Sequence, residues 1–415
     1  MNRTVVGIDV GTTKICTMVA EVRDDGRVNI LGRGLTPSKG LDKGVVVNID
    51  EAVAAISTSV EKAERTSGYR IGTAYVGIAG RHISSLNQTG VVAISRADHE
   101  ITRQDVDRAV ESAQAVAIPT QREVIHVIPR AYIVDGHENI RDPIGMSGYR
   151  LEVETHIVTA EAMAVQNLIR SVERAGVVID DLVLQPLASA EAVLSPEDKD
   201  RGVVLVDIGG GTTDVAIFIQ GGIWHSVVLP LGGNQLTNDI VYVLHTPHDT
   251  AEYLKLKYGQ AIAREPEEGE DDEIDTESFA PGERQQISRF YLNQIIQARV
   301  EQIIDLVGAE IRRSGYEGLL PAGVVLTGGS ALLSGIDELA RDMLKVPVRI
   351  GVPTNLSGLA ESVDAPPFAT SIGLVRWGMT KGMRHPGGSY TSRSESNNWR
   401  NVYDRFKLWL REFLP

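Results

Sequence analysis

The sequence predicts an α/β fold built from two similar lobes. The prediction rests on two segments that repeat one order of features: an apolar strand, an aspartate, a glycine-containing bend with two threonines, and a second apolar strand. The first segment, residues 5–19, reads VVGIDVGTTKICTMV, and the second, residues 203–218, reads VVLVDIGGGTTDVAIF. Two hairpins of one kind at distant positions indicate two lobes, each with its own glycine bend.

The second segment has the features of a hairpin that binds a phosphate. Its β-branched and apolar flanks favour sheet strands, and its glycines allow consecutive backbone N–H groups to converge on an anion. Asp207 ends the first strand and would lie near a phosphate-bound Mg²⁺, which takes few carboxylates and keeps several waters. Alternatively, the glycines only turn a hairpin. The predicted phosphate contacts are Gly209, Gly210, Gly211, Thr212 and Thr213.

The first segment supplies a matching set from the other lobe. Asp9 is the second predicted Mg²⁺ residue, and neither segment is a GxxxxGK[ST] loop or a GxGxxG that opens a helix. The pattern therefore favours one nucleotide held between two lobes over a P-loop or dinucleotide fold. The predicted phosphate contacts here are Gly11, Thr12, Thr13 and Lys14.

A third motif, residues 324–336, reads VVLTGGSALLSGI, a Gly-Gly turn after a buried strand. The three motifs together resemble the actin, heat-shock chaperone and sugar kinase superfamily. This resemblance implies a ribonuclease H-like, actin-like ATPase fold with ATP and Mg²⁺ as its ligands. A plain strand–turn–helix link remains the alternative for the third motif. The resemblance implies adenosine contacts at Gly328, Gly329 and Ser330, and phosphate-side contacts at Gly232 and Gly233.

The same resemblance implies two catalytic residues, Gln185 and Asp207. Gln185 stands where the superfamily holds a Gln or Glu that orients the attacking water, so ATP hydrolysis at a slow rate is the most that is expected. The segment after it, residues 186–192, resembles the first of two connecting helices, and residues 369–375 resemble the second. Alternatively, Gln185 only ends a strand before a proline that starts a helix.

Composition limits the class of protein. A length of 415 residues exceeds what one hydrophobic core usually serves, so two or more domains are expected. The chain has 41 Lys+Arg against 55 Asp+Glu, a formal charge of −14, which argues against broad nucleic-acid binding. Cys16 is the only cysteine, which excludes an intrachain disulfide. We expect a cytoplasmic protein whose membrane contact is peripheral, because no uncharged run approaches the roughly 18–20 residues of a membrane span.

Residues 83–156 break the nucleotide-fold pattern and predict a small α/β insert. Thr102 is expected to cap a helix with Asp105 in a variant of the capping box. Strands are predicted at 123–129, 130–134 and 149–158. The run DPIGMSGYRLE at 142–152, followed by HIVT at 156–159, resembles the FtsA family of bacterial actin homologues, which tether the cell-division ring. In that family the insert serves filament contacts and other divisome proteins.

Two further segments follow the central hairpin. The acidic run 265–277 is expected to be a mobile surface loop and not a metal site. Residues 281–310 are predicted to form one long helix. The FtsA resemblance implies that this region captures the C-terminal peptide of the tubulin-like FtsZ, with Arg299 meeting an acidic group of the peptide. An ordinary solvated or salt-bridged arginine is the alternative.

The last seventeen residues, 399–415, predict an amphipathic helix. Basic residues outnumber acidic ones on its polar side, which is typical of a helix that lies among anionic lipid headgroups. A helix docked on the protein's own body is the alternative. Residues 381–398, rich in Gly, Ser and Arg, predict a flexible linker before it. The predicted membrane contacts share one face at about 100° per residue: Trp399, Val402, Tyr403, Phe406, Trp409, Leu410 and Phe413.

The combined interpretation is an ATP-binding, actin-like cell-division protein that polymerises and anchors FtsZ filaments. It would act at the cytoplasmic face of the membrane at the division site and recruit later divisome proteins. The alternatives are a pilus-assembly actin homologue and a small-molecule, sugar-type kinase of the same superfamily. The predicted units are a first large subdomain (1–82, 166–195 and 355–380), the insert (83–165), a second large subdomain (196–238 and 303–354), a small FtsZ-binding subdomain (239–302), the linker (381–398) and the membrane helix (399–415).

Overall fold

The computed structural model describes residues 3–22, 27–115, 118–266, 272–278, 284–360 and 363–384. The first four residues of the predicted linker 381–398 are instead part of a helix, Ala369–Arg384, and the rest of the linker and the predicted membrane helix lie outside these residues. The strands are β1 (Arg3–Val10), β2 (Lys14–Val22), β3 (Val28–Pro37), β4 (Leu41–Asp42), β5 (Val45–Val46), β6 (Thr73–Ile78), β7 (Ile83–Ala93), β8 (Arg122–Val134), β9 (His137–Ile140), β10 (Arg150–Glu161), β11 (Val178–Leu184), β12 (Val203–Ile208), β13 (Thr213–Ile219), β14 (Gly222–Leu229), β15 (Glu273–Glu277), β16 (Arg284–Ser288), β17 (Val324–Thr327), β18 (Val348–Ile350) and β19 (Leu356–Gly358).

The helices lie between these strands. Several start or stop where the local chemistry requires: Asn48 caps the first helix, and Gly68 ends it in the left-handed conformation that glycine adopts without strain. The helices are α1 (Ile49–Ser67), α2 (Arg103–Gln114), α3 (Ala162–Arg174), α4 (Gln185–Val193), α5 (Pro196–Arg201), α6 (Gly233–Leu244), α7 (His248–Tyr258), α8 (Arg289–Ser314), α9 (Ile336–Leu344) and α10 (Ala369–Arg384).

Two sheets of the same design form two lobes. The first lobe is built on the sheet β11-β6-β1-β2-β3-β19, and the second on the sheet β14-β13-β12-β17-β18. In each, three consecutive strands run antiparallel and the first of them then pairs in parallel with a later strand, β6 or β17. The first sheet shares one apolar core with one face of the second sheet, and the other face of the second sheet has a core of its own. The predicted fold class of two similar actin-like lobes is confirmed.

The connecting helices α4 and α10 pack directly against each other. A side chain at Gly373 of α10 would overlap the backbone carbonyl oxygen of Ala188 in α4, so only glycine permits this approach. α10 also packs on β1, β2 and β6. α10 therefore joins the core of the first lobe to α4, and α4 leads through α5 into the second lobe.

The insert is a four-stranded sheet, β7-β10-β8-β9, with α2 packed on it. The capping box of Thr102 and Asp105 is present: the Asp105 carboxylate accepts from the Thr102 backbone N–H at 2.9 Å. The two strands predicted at 123–129 and 130–134 are one strand, β8. The prediction was wrong because Arg130 is a β-bulge: Glu154 pairs with Ala131 and Thr155 with Pro129, so the strand continues past the proline.

The acidic run and the helix after it were also predicted with the wrong boundaries. Glu273–Glu277 is not loop but strand β15, paired antiparallel with β16. The predicted helix from 281 begins only at Arg289, because Ser288 caps it by accepting a hydrogen bond from the Tyr291 backbone N–H at 3.2 Å. Among the helices of the described residues, none is long and apolar enough to cross a membrane.

Candidate functional site

The two glycine bends face each other and are in contact. A Cβ atom on Gly210 of the second hairpin would overlap the Cγ2 methyl of Thr13 in the first. A Cβ atom on Gly211 would lie 2.7 Å from the hydroxyl oxygen of Thr12. Each threonine thus occupies the space that a side chain on the opposite bend would need. The close approach explains why the second bend consists of glycines.

A cavity of about 120 Å³ lies between the bends. Because ligand pockets usually have at least about 300 Å³, a nucleotide requires the bends to separate. Six of the residues that line this cavity had not been predicted: Val10, Gly44, Ala79, Asp214, Pro367 and Thr370. The sequence-predicted residues that line it are Asp9, Gly11, Thr12, Thr13, Lys14, Gln185, Asp207, Gly209, Gly210, Gly211, Thr212, Gly328 and Gly329.

Four predicted contacts lie behind the second bend and do not line the cavity. The Thr213 hydroxyl donates to the Leu231 carbonyl at 2.8 Å. The Gly233 backbone N–H and the Ser330 hydroxyl both donate to the Gly209 carbonyl, at 2.9 and 3.2 Å. Gly232 is packed so closely that a Cβ there would lie 2.6 Å from the same carbonyl oxygen. These residues support the bend from the side away from the first lobe.

Asp9 is the last residue but one of β1 and is almost fully buried, at 5% exposure. The Gln185 side-chain amide donates to its carboxylate at 3.0 Å. Burial raises the pKa of Asp9 to about 6, the nearby Lys14 ammonium opposes this rise, and Asp207 adds to it. The predicted water-orienting residue and the predicted metal residue are therefore in direct contact.

Asp207 is the last residue but one of β12 in the second lobe and is also buried, at 7% exposure. Its carboxylate accepts hydrogen bonds from the Ser189 hydroxyl at 2.6 Å and the Thr370 hydroxyl at 3.2 Å. Burial raises its pKa, and these two hydroxyls together with Lys14 limit the rise. Ser189 lies on α4 and Thr370 on α10, so both connecting helices hold this carboxylate in place.

Asp214 is a site residue to which the sequence analysis assigned no role. It lies directly opposite Asp207 in the hairpin register and is 3% exposed. Its Oδ1 atom has no hydrogen-bond partner. Burial raises the pKa of its carboxyl well above the ordinary value, and Asp207 and Asp9 raise it further. The sequence did carry a signal, because an aspartate stands on each side of the bend: Asp207 before the glycines and Asp214 after the Thr-Thr pair.

Lys14 is the cation beside this acidic cluster. Its ammonium donates to the Pro367 carbonyl and lies 4.8 Å from the centroid of the Phe368 ring. Within the described residues, no three His, Cys, Asp or Glu side chains are placed to hold a metal ion directly. Asp9 and Asp207 fit a hydrated Mg²⁺, which takes few carboxylates and keeps several waters.

The third motif forms the wall of the second lobe. Gly328 follows β17 with φ +88°, and a Cβ there would lie 2.6 Å from the Ile208 carbonyl oxygen. No atom lies within 4 Å of a Cβ built on Gly329. Glycine is thus required at position 328, because of the backbone conformation and the lack of space. Gly329 instead borders open space that a planar ring could occupy.

Arg299 lies on α8, away from the cavity. Its guanidinium donates to both carboxylate oxygens of Asp239 on α6, at 2.6 and 2.8 Å. The pair is about one-quarter exposed. The structure thus gives Arg299 an intramolecular partner. The predicted membrane contacts of 399–415 lie outside the described residues.

Comparison with protein families gives two matches. Residues 204–373 match the model described as Cell division protein FtsA, and residues 80–159 match the SHS2 domain inserted in FTSA. The chain is 43% identical to Cell division protein FtsA of Pseudomonas aeruginosa, over 98% of this chain and 97% of that one. It is 34% identical to that of Escherichia coli K12, over 98% and 97%. With that of Bacillus subtilis the identity is 40%, over 91% and 83%.

Solved structures with the same fold are more distant in sequence. A PilM-PilN type IV pilus biogenesis complex has a TM-score of 0.67 at 17% identity, covering 90% of this chain and 98% of that one. MreB5 of Spiroplasma citri bound to ADP has a TM-score of 0.57 at 15% identity, covering 92% and 99%. At such identities the likeness concerns the fold alone.

Proposed function

Because this chain belongs to the FtsA family of cell division proteins, we propose that it binds ATP between its two lobes and anchors FtsZ filaments to the membrane. The family membership gives the cell-division role and does not favour the pilus-assembly and sugar-kinase alternatives. The observation that carries the ATP proposal is the pair of facing glycine bends, with Asp9 and Asp207 lining one cavity between them.

The residues of the two bends have distinct tasks in this proposal. The backbone N–H groups of Gly210 and Gly211 and the hydroxyls of Thr12 and Thr13 bind the phosphates, and the Gly209 N–H closes the bend by donating to the Thr212 carbonyl at 2.9 Å. Asp9 and Asp207 hold the waters of a hydrated Mg²⁺, and the metal when bound would neutralise phosphate charge. Gln185, whose amide now donates to Asp9 at 3.0 Å, orients the attacking water. The bond to Asp9 uses one N–H of this amide and leaves its Oε1 atom to accept a hydrogen bond from the water.

Nucleotide entry requires the lobes to open. The contacts of Thr13 with Gly210 and of Thr12 with Gly211 close the present cavity. The connecting helices α4 and α10 are the natural hinge, because both contact Asp207 through a hydroxyl group and also pack on each other. A rotation there would separate the bends without disturbing either sheet. The phosphates would then replace the threonine–glycine contacts.

The ATP proposal is tested by calorimetry with Mg²⁺ and ATP. Asp207→Ala is expected to abolish binding, because it removes the carboxylate of the second lobe. Asp249→Ala is the matched control, since the Asp249 side chain is fully exposed on α7. Unchanged ATP affinity of the Asp207 variant would refute the assignment.

The partner proposal places FtsZ's C-terminal peptide on α6 and α8. The Arg299–Asp239 ion pair lies beside Tyr242, which is 81% exposed, and Val243. Asp239 and Tyr242 are three residues apart and therefore neighbours on the helix surface. An ion pair that is about one-quarter exposed, next to an exposed aromatic ring, suits a peptide with both acidic and apolar side chains. An acidic group of the peptide would replace Asp239 as the partner of the Arg299 guanidinium.

This surface is tested by fluorescence anisotropy with a labelled FtsZ C-terminal peptide. Arg299→Ala is expected to weaken binding at least about tenfold, which corresponds to the loss of one charge-assisted hydrogen-bonded pair. Arg313→Ala is the control, because Arg313 lies on the same helix and also pairs with a carboxylate, that of Glu310. Equal effects of the two substitutions would contradict the proposed surface.

The membrane proposal rests on the sequence of residues 399–415. A single amphipathic helix binds lipid weakly, and self-assembly of the actin-like body into filaments would provide avidity. A chain stopped at Asn398 is expected to stay in the supernatant when anionic liposomes are sedimented. Trp409→Glu should have a similar effect, whereas Leu408→Glu, off the apolar face, should have little. Retained binding of the shortened chain would rule out the anchor.

A further inference from the structure

A histidine of the insert is hydrogen-bonded to the backbone one residue before Gln185, which lines the cavity. His126 lies on β8 and is 5% exposed. Its Nε2 atom accepts a hydrogen bond from the backbone N–H of Leu184 at 3.0 Å. Leu184 is the last residue of β11, and Gln185 follows it directly. The insert therefore touches the chain one residue before the predicted water-orienting side chain.

The position of this bond in the sheet makes it structurally important. β11 is the edge strand of the first lobe and pairs on one side with β6. The N–H of Leu184 is supplied with an acceptor by a side chain of the insert. A buried N–H without an acceptor is destabilising. Because Nε2 accepts here, the ring must carry no proton on that nitrogen.

Both ends of Gln185 are fixed by neighbouring groups. Its side-chain amide donates to Asp9 at 3.0 Å, and a Cβ on Gly77 would lie 3.2 Å from its Cγ atom. Its backbone follows the N–H that His126 holds. The His126 ring also packs at 5.6 Å from the ring of Trp377 on α10. A shift of β8 relative to β11 would consequently move Gln185 relative to Asp9.

We propose that His126 is a positioning residue for Gln185, through which the insert controls the rate of ATP hydrolysis. The inference rests on the proposed function, because it concerns hydrolysis at the same cavity. His126 contacts neither ATP nor water in this mechanism. It holds the end of β11 at the place where the Gln185 amide reaches the attacking water. Partner binding that moves β8 then changes turnover without any contact to the nucleotide.

The test compares three substitutions in the full chain. His126→Phe keeps an aromatic ring against Trp377 and removes the acceptor. His126→Gln restores an oxygen near the position of Nε2. His126→Asn keeps a polar group that is too short to reach Leu184, and it serves as a second variant should the phenylalanine variant not fold.

We expect His126→Phe and His126→Asn to lower ATP turnover about tenfold or more, since displacements of about 1 Å can cost a hundredfold. The Kd for ATP should stay within about twofold of the native value, a split that general destabilisation would not produce. His126→Gln should retain most of the turnover. Added to Gln185→Ala, His126→Phe should lower turnover no further, because both changes act on one step.

Three results would overturn the inference. The first is unchanged turnover in His126→Phe and His126→Asn, and the second is an equal loss of turnover and affinity in both. The third is native protein that binds ATP and shows no turnover. Failure of the native protein to bind ATP in calorimetry would instead overturn the proposed function itself and this inference with it, so the two failures are distinguished.

Discussion

Asp9→Asn is expected to stabilise the unliganded protein at neutral pH while it removes Mg²⁺-dependent ATP binding. The native carboxylate is buried, and burial and the nearby Asp207 oppose its ionisation more strongly than Lys14 favours it. Asparagine carries no charge and can still accept the hydrogen bond from Gln185. The substitution therefore removes a destabilising charge and keeps the packing.

The magnitude follows from the pKa of Asp9, which rises from an ordinary value of 3.8 to about 6. This difference corresponds to about 3 kcal/mol at 1.4 kcal/mol per pH unit, and with 5% exposure no correction for solvent screening applies. The folded state binds the proton more tightly than the unfolded state, so stability is lost as pH rises from about 4 through 6. The full penalty is present at pH 7 and about half of it at pH 5.

The assay is urea unfolding without nucleotide at pH 7 and pH 5, with calorimetry of Mg²⁺-ATP binding beside it. Asp9→Asn should exceed the native protein by up to about 3 kcal/mol at pH 7, and by about half as much at pH 5. Asp249→Asn, at an exposed site on α7, should match the native protein at both. A variant less stable than the native protein at pH 7, or an equal margin at both pH values, would refute the reasoning.

Three other predictions follow from buried groups. Gly210→Ala should destabilise the unliganded protein by about 1–3 kcal/mol in urea unfolding, because its Cβ overlaps Thr13. Thr13→Ser should restore part of this loss, whereas Gly72→Ala, with open space around it, should cost little. Burial lowers the pKa of His156 to about 3, helped by His225 and Arg130, so the folded state resists protonation. The contribution of His156 to the free energy of unfolding should fall by about 2 kcal/mol from pH 7 to pH 5. The free energy of unfolding of a His156→Gln variant should therefore depend less on pH. Cys16 is fully buried and burial raises its pKa, so Ellman's reagent should react only after denaturation. Rapid reaction of the folded chain would contradict its position in β2.

The sequence predicted the two hairpins because their features are local. Each strand–bend–strand segment carries its own continuous apolar runs and its own glycines. The pairing of Asp207 with Asp214 follows from the hairpin register once the bend is placed. Even so, Asp214 received no role, because a strand position says nothing about burial against the opposite lobe.

Contacts between distant segments could not be predicted in the same way. Thr370 donates to Asp207 across 163 positions of sequence, and Gln185 donates to Asp9 across 176. The resemblance suggested that Gln185 lies near the phosphates, but no pattern in the chain pointed to Ser189 or Thr370. Hydroxyl residues on apolar helices are common, and their function depends on what the opposite element presents.

The errors near the acidic run have a different cause. Charge dominates residues 265–277 and hides a shorter alternation, in which Ile274 and Thr276 are buried and their neighbours are exposed. This period of two is the strand signal. Likewise, Ser288 directly before an apolar helical pattern is a helix start signal. The predicted helix began earlier, at 281, because apolar residues were counted over a longer window. Local chemistry at the boundary outweighed the average over the window.

The insert is in contact with both lobes. Besides His126 and Leu184, the His156 Nε2 atom lies 2.8 Å from the Ser226 hydroxyl on β14, and the Ser85 hydroxyl donates to the Ser226 carbonyl at 2.7 Å. If the lobes rotate to admit a nucleotide, these two sets of contacts cannot both remain unchanged. The insert must either follow one lobe or lose its contacts with the other. The surface of the insert would thereby differ between the closed and the open state, and a partner that binds the insert in one of these states would affect nucleotide binding.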